Sequence, residues 1–262
     1  MWKYLLLLIF GVIVANNPTA ATRVLDSRIV GGVEENIAVA PHMVSLRYKK
    51  NESTPFEHRC SATIYSENIL LTTATCVIGL EVNHIHILAG STYRSTYEGS
   101  IYLVEKYIIH PDYNIWFTDN DLALVKLAFN ISPFPSKEIA AIALADVLPE
   151  EGNLATVAGW GTTIANTNAE YSDTLQVAKV SVVDHDECSQ IYGGSRISQA
   201  MLCAAGVNAD ACYGDAGGAL VYQNQAIGLV SWGRDCASQD YPGVYTNLVY
   251  FKSWIESEVG KL

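Results

Sequence analysis

After residue 28 the chain is a succession of short β-rich runs cut by turn residues, with no low-complexity stretch, fixed-period repeat or break in composition. Ile85-His86-Ile87-Leu88 runs into Ala89-Gly90, and Ile101-Tyr102-Leu103-Val104 follows. Further on, Asn153 to Ala158 leads into Gly159, and Ala226 to Val230 leads into Ser231-Trp232-Gly233. Short strands at this density predict an all-β barrel or sandwich. Only two places read as helical. Asp184-His185-Asp186-Glu187-Cys188 puts acids where the positive end of a helix favours them, and Gly193-Gly194 ends that element. Between Val249 and Val259, Phe251, Trp254, Ile255 and Val259 fall on one face of an amphipathic helix, which core packing explains without any function.

Half of the 262 residues are apolar and only 16% are charged, which excludes a disordered chain or a coiled coil. Lys and Arg number 16 against 27 Asp and Glu, a net charge of −11. That balance repels phosphate backbones and anionic lipid surfaces, so neither nucleic acid nor a membrane is expected as a partner. The apolar run Leu5 to Ala15 beside Lys3 is too short to span a bilayer, which takes about 20 residues, and it stops at Asn16-Asn17-Pro18. It reads as a signal peptide within residues 1–21, removed somewhere between about 15 and 21, which makes the protein secreted and extracellular. The sequons Asn51-Glu52-Ser53 and Asn130-Ile131-Ser132 suit glycosylation in that compartment. Six cysteines fit three disulfides, a metal site or neither, and arithmetic alone allows 15 disulfide pairings. His84 and His86 form a His-x-His pair, but no cysteine or carboxylate cluster adjoins them. No metal or cofactor is expected.

Asp210-Ala211-Cys212-Tyr213-Gly214-Asp215-Ala216-Gly217-Gly218-Ala219-Leu220 resembles the nucleophile segment of trypsin-like serine proteases, Asp-Ser-Cys-Gln-Gly-Asp-Ser-Gly-Gly-Pro-Leu. The resemblance extends in order along the chain. Arg28-Ile29-Val30-Gly31-Gly32 looks like a zymogen cleavage site, and Leu71-Thr72-Thr73-Ala74-Thr75-Cys76 lies where the family has Leu-Thr-Ala-Ala-His-Cys. Asn120-Asp121-Leu122-Ala123-Leu124 looks like the aspartate segment, followed by Gly159-Trp160-Gly161, Ser231-Trp232-Gly233 and Pro242-Gly243-Val244-Tyr245-Thr246. Membership implies two antiparallel six-stranded β-barrels with a C-terminal α-helix over residues 29–262, after a short activation propeptide at 22–28. It also implies the pairings Cys60–Cys76, Cys188–Cys203 and Cys212–Cys236, each closing a loop worth roughly 3 kcal/mol of chain entropy.

Family chemistry needs a hydroxyl nucleophile, a base near neutrality and an orienting carboxylate. Carried over residue by residue, the triad positions here are Thr75, Asp121 and Ala216. A threonine hydroxyl is no base near pH 7, and a methyl group attacks nothing. In subtilisin, loss of the serine or the histidine costs about 10⁶ in turnover, and the losses do not add. The expectation is therefore a protein that is not an enzyme, a binding homologue whose partner is a protease, a protease inhibitor or a protease target. The alternatives are a working endopeptidase that cuts after Lys or Arg, and an engineered double mutant.

The resemblance assigns other parts as intact. Asp210 would floor a primary-specificity pocket walled by Gly233 and Gly243. The backbone N–H groups of Gly214 and Ala216 would form the oxyanion hole, and the α-amino group of Ile29 would pair with Asp215 after cleavage at Arg28. His58 would be a structural histidine near the activation pocket, and His110 part of a turn outside the active site. Ser61, Ala62 and Tyr213, bulkier than the family's residues, would narrow the cleft.

Overall fold

Side chains on a strand alternate between two faces, so the burial of each run shows which face meets a core. Gln176–Val183 alternates almost residue by residue, as a strand with one buried face should. The computed structural model describes residues 29–95, 98–164 and 170–262. The signal peptide and propeptide read from residues 1–28, Arg28 included, lie outside the described residues.

In chain order the strands are β1 (Val33–Glu34), β2 (Met43–Tyr48), β3 (Glu57–Ile64), β4 (Ile69–Thr72), β5 (Ile85–Ala89), β6 (Ser100–Ile109) and β7 (Ala123–Leu127). They continue as β8 (Ala143–Leu144), β9 (Leu154–Gly159), β10 (Gln176–Val183), β11 (Met201–Ala205), β12 (Ala219–Tyr222), β13 (Gln225–Trp232) and β14 (Gly243–Asn247). The helices are α1 (Ala74–Val77), α2 (His185–Ile191) and α3 (Leu248–Val259).

The first barrel closes in the order β2-β3-β4-β7-β6-β5. The second runs β10-β11-β14-β13-β12-β9 and closes where β9 pairs with β10. All pairs within the barrels are antiparallel; β1 adds to β10, and β8 adds parallel to β13. The expected architecture is the observed one. Val44, Leu46, Ile64, Leu70, Ile87 and Val125 fill the first barrel, and Val157, Val180, Leu202, Leu220, Ile227 and Tyr245 the second. Closure leaves the first barrel without an open edge, and the second sheet ends only in the two-residue strands β1 and β8.

Both expected helices form. Asp184 caps α2, its carboxylate accepting from the N–H groups of Asp186 and Glu187. α3 begins at Asn247, whose side chain accepts from Tyr250 N–H at 3.1 Å, a cap the sequence reading did not single out. Leu248, Phe251 and Ile255 of α3 pack with Leu71, Leu122 and Leu124 from the first barrel and Leu229 from the second. This shared cluster joins the barrels directly beside Asp121.

Candidate active site between the barrels

The triad positions come from three different elements. Thr75 lies on α1, Asp121 ends the loop before β7, and Ala216 follows the turn before β12. Asp121 is buried, and its carboxylate is fully engaged. Oδ1 accepts from Thr75 N–H at 2.9 Å and from Thr75 Oγ1 at 3.0 Å, and Oδ2 accepts from Ser231 Oγ at 2.7 Å. Burial pushes this carboxyl up from its ordinary range, and the bonds from Ser231 and Thr75 pull it back down. Thr75 Oγ1 also meets the Tyr113 hydroxyl at 3.0 Å. The threonine thus takes a place beside the aspartate, as a hydroxyl and not an imidazole. Ser231 and Tyr113 were not picked out from the sequence. Ser231 stands in the quoted Ser-Trp-Gly motif, which is the one signal that pointed to it.

Cys212 to Gly218 forms a tight loop around the Asp215 carboxylate. Oδ1 accepts from Gly161 N–H at 2.7 Å and Oδ2 from Cys212 N–H at 2.9 Å. A Cβ on Gly161 would sit 2.5 Å from Asp215 Oδ2 and 2.6 Å from Tyr213 O, so only glycine fits there. Burial pushes Asp215 up to about 7. Within this loop the N–H groups of Gly214 and Ala216 are not used by the neighbouring turns, which draw on Asp215, Gly217 and Gly218. Ile29 is fully buried, and Val30 O accepts from Asp210 N–H at 3.0 Å, so the start of the described chain lies against this region.

His58 comes closer to the site than its sequence position suggests. Its Nε2 lies 2.9 Å from Gly214 O and its Nδ1 2.7 Å from Ser45 Oγ. A carbonyl can only accept, so Nε2 carries the proton and Nδ1 accepts from the serine hydroxyl. Burial lowers this imidazole to about 3, keeping it neutral. Four of the other five histidines serve other contacts: His110 packs against Phe251 and Trp254, His86 stacks on Phe56, His84 meets Glu52, and His185 meets Ser198 O.

A cavity of about 240 Å³ opens beside Ala216. Asp210, Gly214, Ala216, Trp232, Gly233, Asp235 and Gly243 are among its lining residues. Asp210 is 4% exposed. Its Oδ2 accepts from Ala237 N–H at 3.1 Å, while Oδ1 has no partner. Burial pushes its carboxyl up to about 7. A Cβ on Gly243 would come within 2.7 Å of Oδ1, whereas one on Gly233 would meet nothing. The two glycines therefore leave access to the carboxylate from the floor and the wall. The Cys212–Cys236 disulfide ties two further lining residues together, and the Cys60–Cys76 and Cys188–Cys203 bonds complete the pairing the resemblance implied.

Two expectations about shape need correction. Ser61 and Ala62 are fully buried and do not project into a cleft. Tyr213 stands at the rim, 46% exposed. Asn51 and Asn130 are both exposed, and the Asn130 amide donates to Glu67 at 2.6 Å. No group of three or more metal-ligating side chains occurs among the described residues, and none of the helices there is long and apolar enough to cross a membrane.

Paired six-stranded barrels with a carboxylate-floored cavity beside the interbarrel triad positions define the architecture of a serine protease. The trypsin family description matches residues 29–255, and the chain belongs to that family. Trypsin zeta of Drosophila melanogaster is 38% identical over 250 residues, covering 90% of this chain and 88% of that protein. Trypsin eta of Drosophila erecta is 39% identical over 236 residues, covering 89% and 91%. Trypsin of Sarcophaga bullata is 38% identical over 240 residues, covering 91% of each. These relatives correct the expectation that the chain is not an enzyme. They carry the name of a protease over nine-tenths of its length, and no feature of the fold favours a purely binding role. Positions 75 and 216 carry a threonine and an alanine.

Proposed function

We propose that the chain is a secreted trypsin-like protein that acts on polypeptides at lysine and arginine, the Asp210 cavity selecting the side chain. One observation carries this reading: Asp210 Oδ1 is buried, unpartnered and at the floor of an open cavity. A guanidinium or ammonium group supplies the missing donors in a charge-assisted hydrogen bond. No lysine or arginine lines the cavity to compete for that carboxylate. Cleavage after Arg28 would free the Ile29 amino group to pair with Asp215 and fix the loop that carries Gly214 and Ala216.

Hydrolysis after the bound residue is the reaction the relatives' name brings with it. This chain would contribute the seat for the side chain and the N–H groups of Gly214 and Ala216 for the developing oxyanion. With a methyl at 216, the attacking oxygen is water's. The C–N bond breaks, the water oxygen joins the carbonyl carbon, and the amine leaves with a water proton, without an acyl-enzyme intermediate.

Turnover of acetyl-arginine methyl ester by the Arg28-cleaved protein, with binding of acetyl-arginine amide, tests both parts. Asp210→Ala should weaken the arginine amide at least about tenfold, as expected for losing a charge-assisted bond. Thr75→His with Ala216→Ser should raise turnover by about 10⁶ and make an acyl adduct trappable. Equal arginine binding by native and Asp210→Ala protein overturns the cavity reading; an acyl adduct on the native chain overturns the direct attack by water.

A further inference from the structure

Arg196 is not among the residues that line the cavity, but it lies against one of them, Trp232. Its guanidinium carbon sits 4.7 Å from the centre of the Trp232 ring and 5.7 Å from that of Phe117. Those two ring contacts are its interactions: it has no hydrogen bond or ion pair among the described residues. Stacking uses the faces of a guanidinium and leaves its in-plane N–H donors pointing outward. Asp119, the acid on the neighbouring loop, makes no ion pair with Arg196; its Oδ1 accepts from Ser198 Oγ at 2.5 Å and from Asn120 N–H at 3.1 Å. The rings also hold the arginine in place before anything binds, which lowers the ordering cost of using it.

The surroundings mark the same spot as a contact surface. Phe117 is 57% exposed and continues into Trp116 at 86% and Ile115 at 58%. Large aromatic side chains in sequence, open to solvent beside a cavity, are uncommon on a surface without a partner. Trp232 belongs to both features, lining the cavity with one part and carrying Arg196 on its ring.

We propose that Arg196, laid across Phe117 and Trp232, reads an acidic side chain on the same polypeptide whose lysine or arginine fills the Asp210 cavity. The proposal rests on the cavity reading above and deepens it. The two charges sort ligands in opposite senses: Asp210 demands a cation, and Arg196 rewards an anion nearby while repelling a second cation there. A chain of net charge −11 draws basic polypeptides of every kind, so an arginine with free donors next to the cavity separates mixed-charge segments from uniformly basic ones.

Fluorescent ten-residue peptides test it, each with one arginine in a neutral background and either Glu or Gln at one of four positions on either side. Dissociation constants are measured by anisotropy for the full chain and its variants. In the native protein one register should favour Glu over Gln by about tenfold, and 0.5 M salt should shrink that ratio. Arg196→Gln should bring the ratio to about one, and Arg196→Lys should keep part of it. A ratio cancels any general effect of a variant on folding. A ratio near one at every register in the native protein, or one that Arg196→Gln leaves unchanged, overturns the proposal. Asp210→Ala separates the two claims, because it should weaken all peptides alike. Full binding by Asp210→Ala with an Arg196-dependent Glu preference overturns the cavity reading and leaves the Arg196 preference standing.

Discussion

Asp210 and Asp121 are both buried carboxylates, and their partners give them different work. Asp121 has donors on both oxygens, so it holds Thr75 and Ser231 in place. Asp210 has one oxygen free, and burial holds its carboxyl at about 7. A cation binds the ionised form, and below pH 7 the empty cavity is mostly protonated. Affinity for acetyl-arginine amide should therefore rise about tenfold per pH unit from pH 5 toward 7 and level off above it. Calorimetric titration at pH 5, 6, 7 and 8 checks this, and a flat profile contradicts it. Thr75→Val keeps the shape of the side chain and removes the hydroxyl that bridges Asp121 and Tyr113. The cost should be about 1–2 kcal/mol, and thermal unfolding should show a midpoint a few degrees lower. The resemblance put Thr75 and Asp121 at triad positions and His58 near the activation pocket, but the contacts themselves, and those of Ser231 and Tyr113, were not legible in the sequence. Thr75 and Asp121 are 46 residues apart, Ser231 and Asp121 are 110 apart, and His58 and Gly214 are 156 apart. The closure of each barrel and the packing of one barrel on the other bring them together, and no local pattern encodes that.

Elements whose signal is local were legible. β5, β9 and β13 appear where β-rich runs met turn residues, and α2 where acids preceded an apolar position and a Gly-Gly pair followed. Asp184 satisfies two N–H groups at the start of α2, and that helix carries Cys188 of the Cys188–Cys203 bond. Asp184→Ala should cost about 1 kcal/mol and lower the unfolding midpoint by roughly 2–4 °C, while Asp184→Asn should cost little. Gly161→Ala belongs to a different class, because its Cβ would strike both Asp215 and the Tyr213 carbonyl. Neither is the loose end of a flexible chain, so the loop from Cys212 to Gly218 must shift. This variant should lose arginine-amide binding together with stability, measured by calorimetry and urea unfolding on the same sample. Unchanged affinity would mean that the loop does not shape the cavity. The Asp210 cavity was expected only through the resemblance, and the ring contacts of Arg196 had no local signature, since each depends on segments far apart in the chain.

At the scale of the whole molecule, buried groups shifted in opposite directions shape how stability responds to pH, with His42 and His58 set against Asp210 and Asp215. His42 is lowered to about 4 and His58 to about 3, in both cases chiefly by burial. The unfolded chain protonates them below about 6.5 and the folded chain does not, so their contribution is present above 6.5 and is lost as pH falls toward 4 and 3. Asp210 and Asp215 are raised to about 7 by burial, so the folded chain holds two protons that the unfolded chain releases near pH 4. Their contribution is present below about 4 and is lost as pH rises through 7. Between pH 4 and 6.5 the pairs offset each other. Above 6.5 the histidines no longer change, and the aspartates alone make stability fall until about pH 8. Cleavage after Arg28 should remove part of that fall. A free ammonium on Ile29 beside Asp215 favours the ionised carboxylate, so Asp215 would no longer cost stability near neutrality while the amine remains charged. Urea midpoints at pH 5, 6.5 and 7.5 should therefore decline over the last step for the intact chain and decline less for the cleaved one. Identical profiles for the two forms would show that the Ile29 amine does not reach Asp215, and the proposed activation pairing would fall with them.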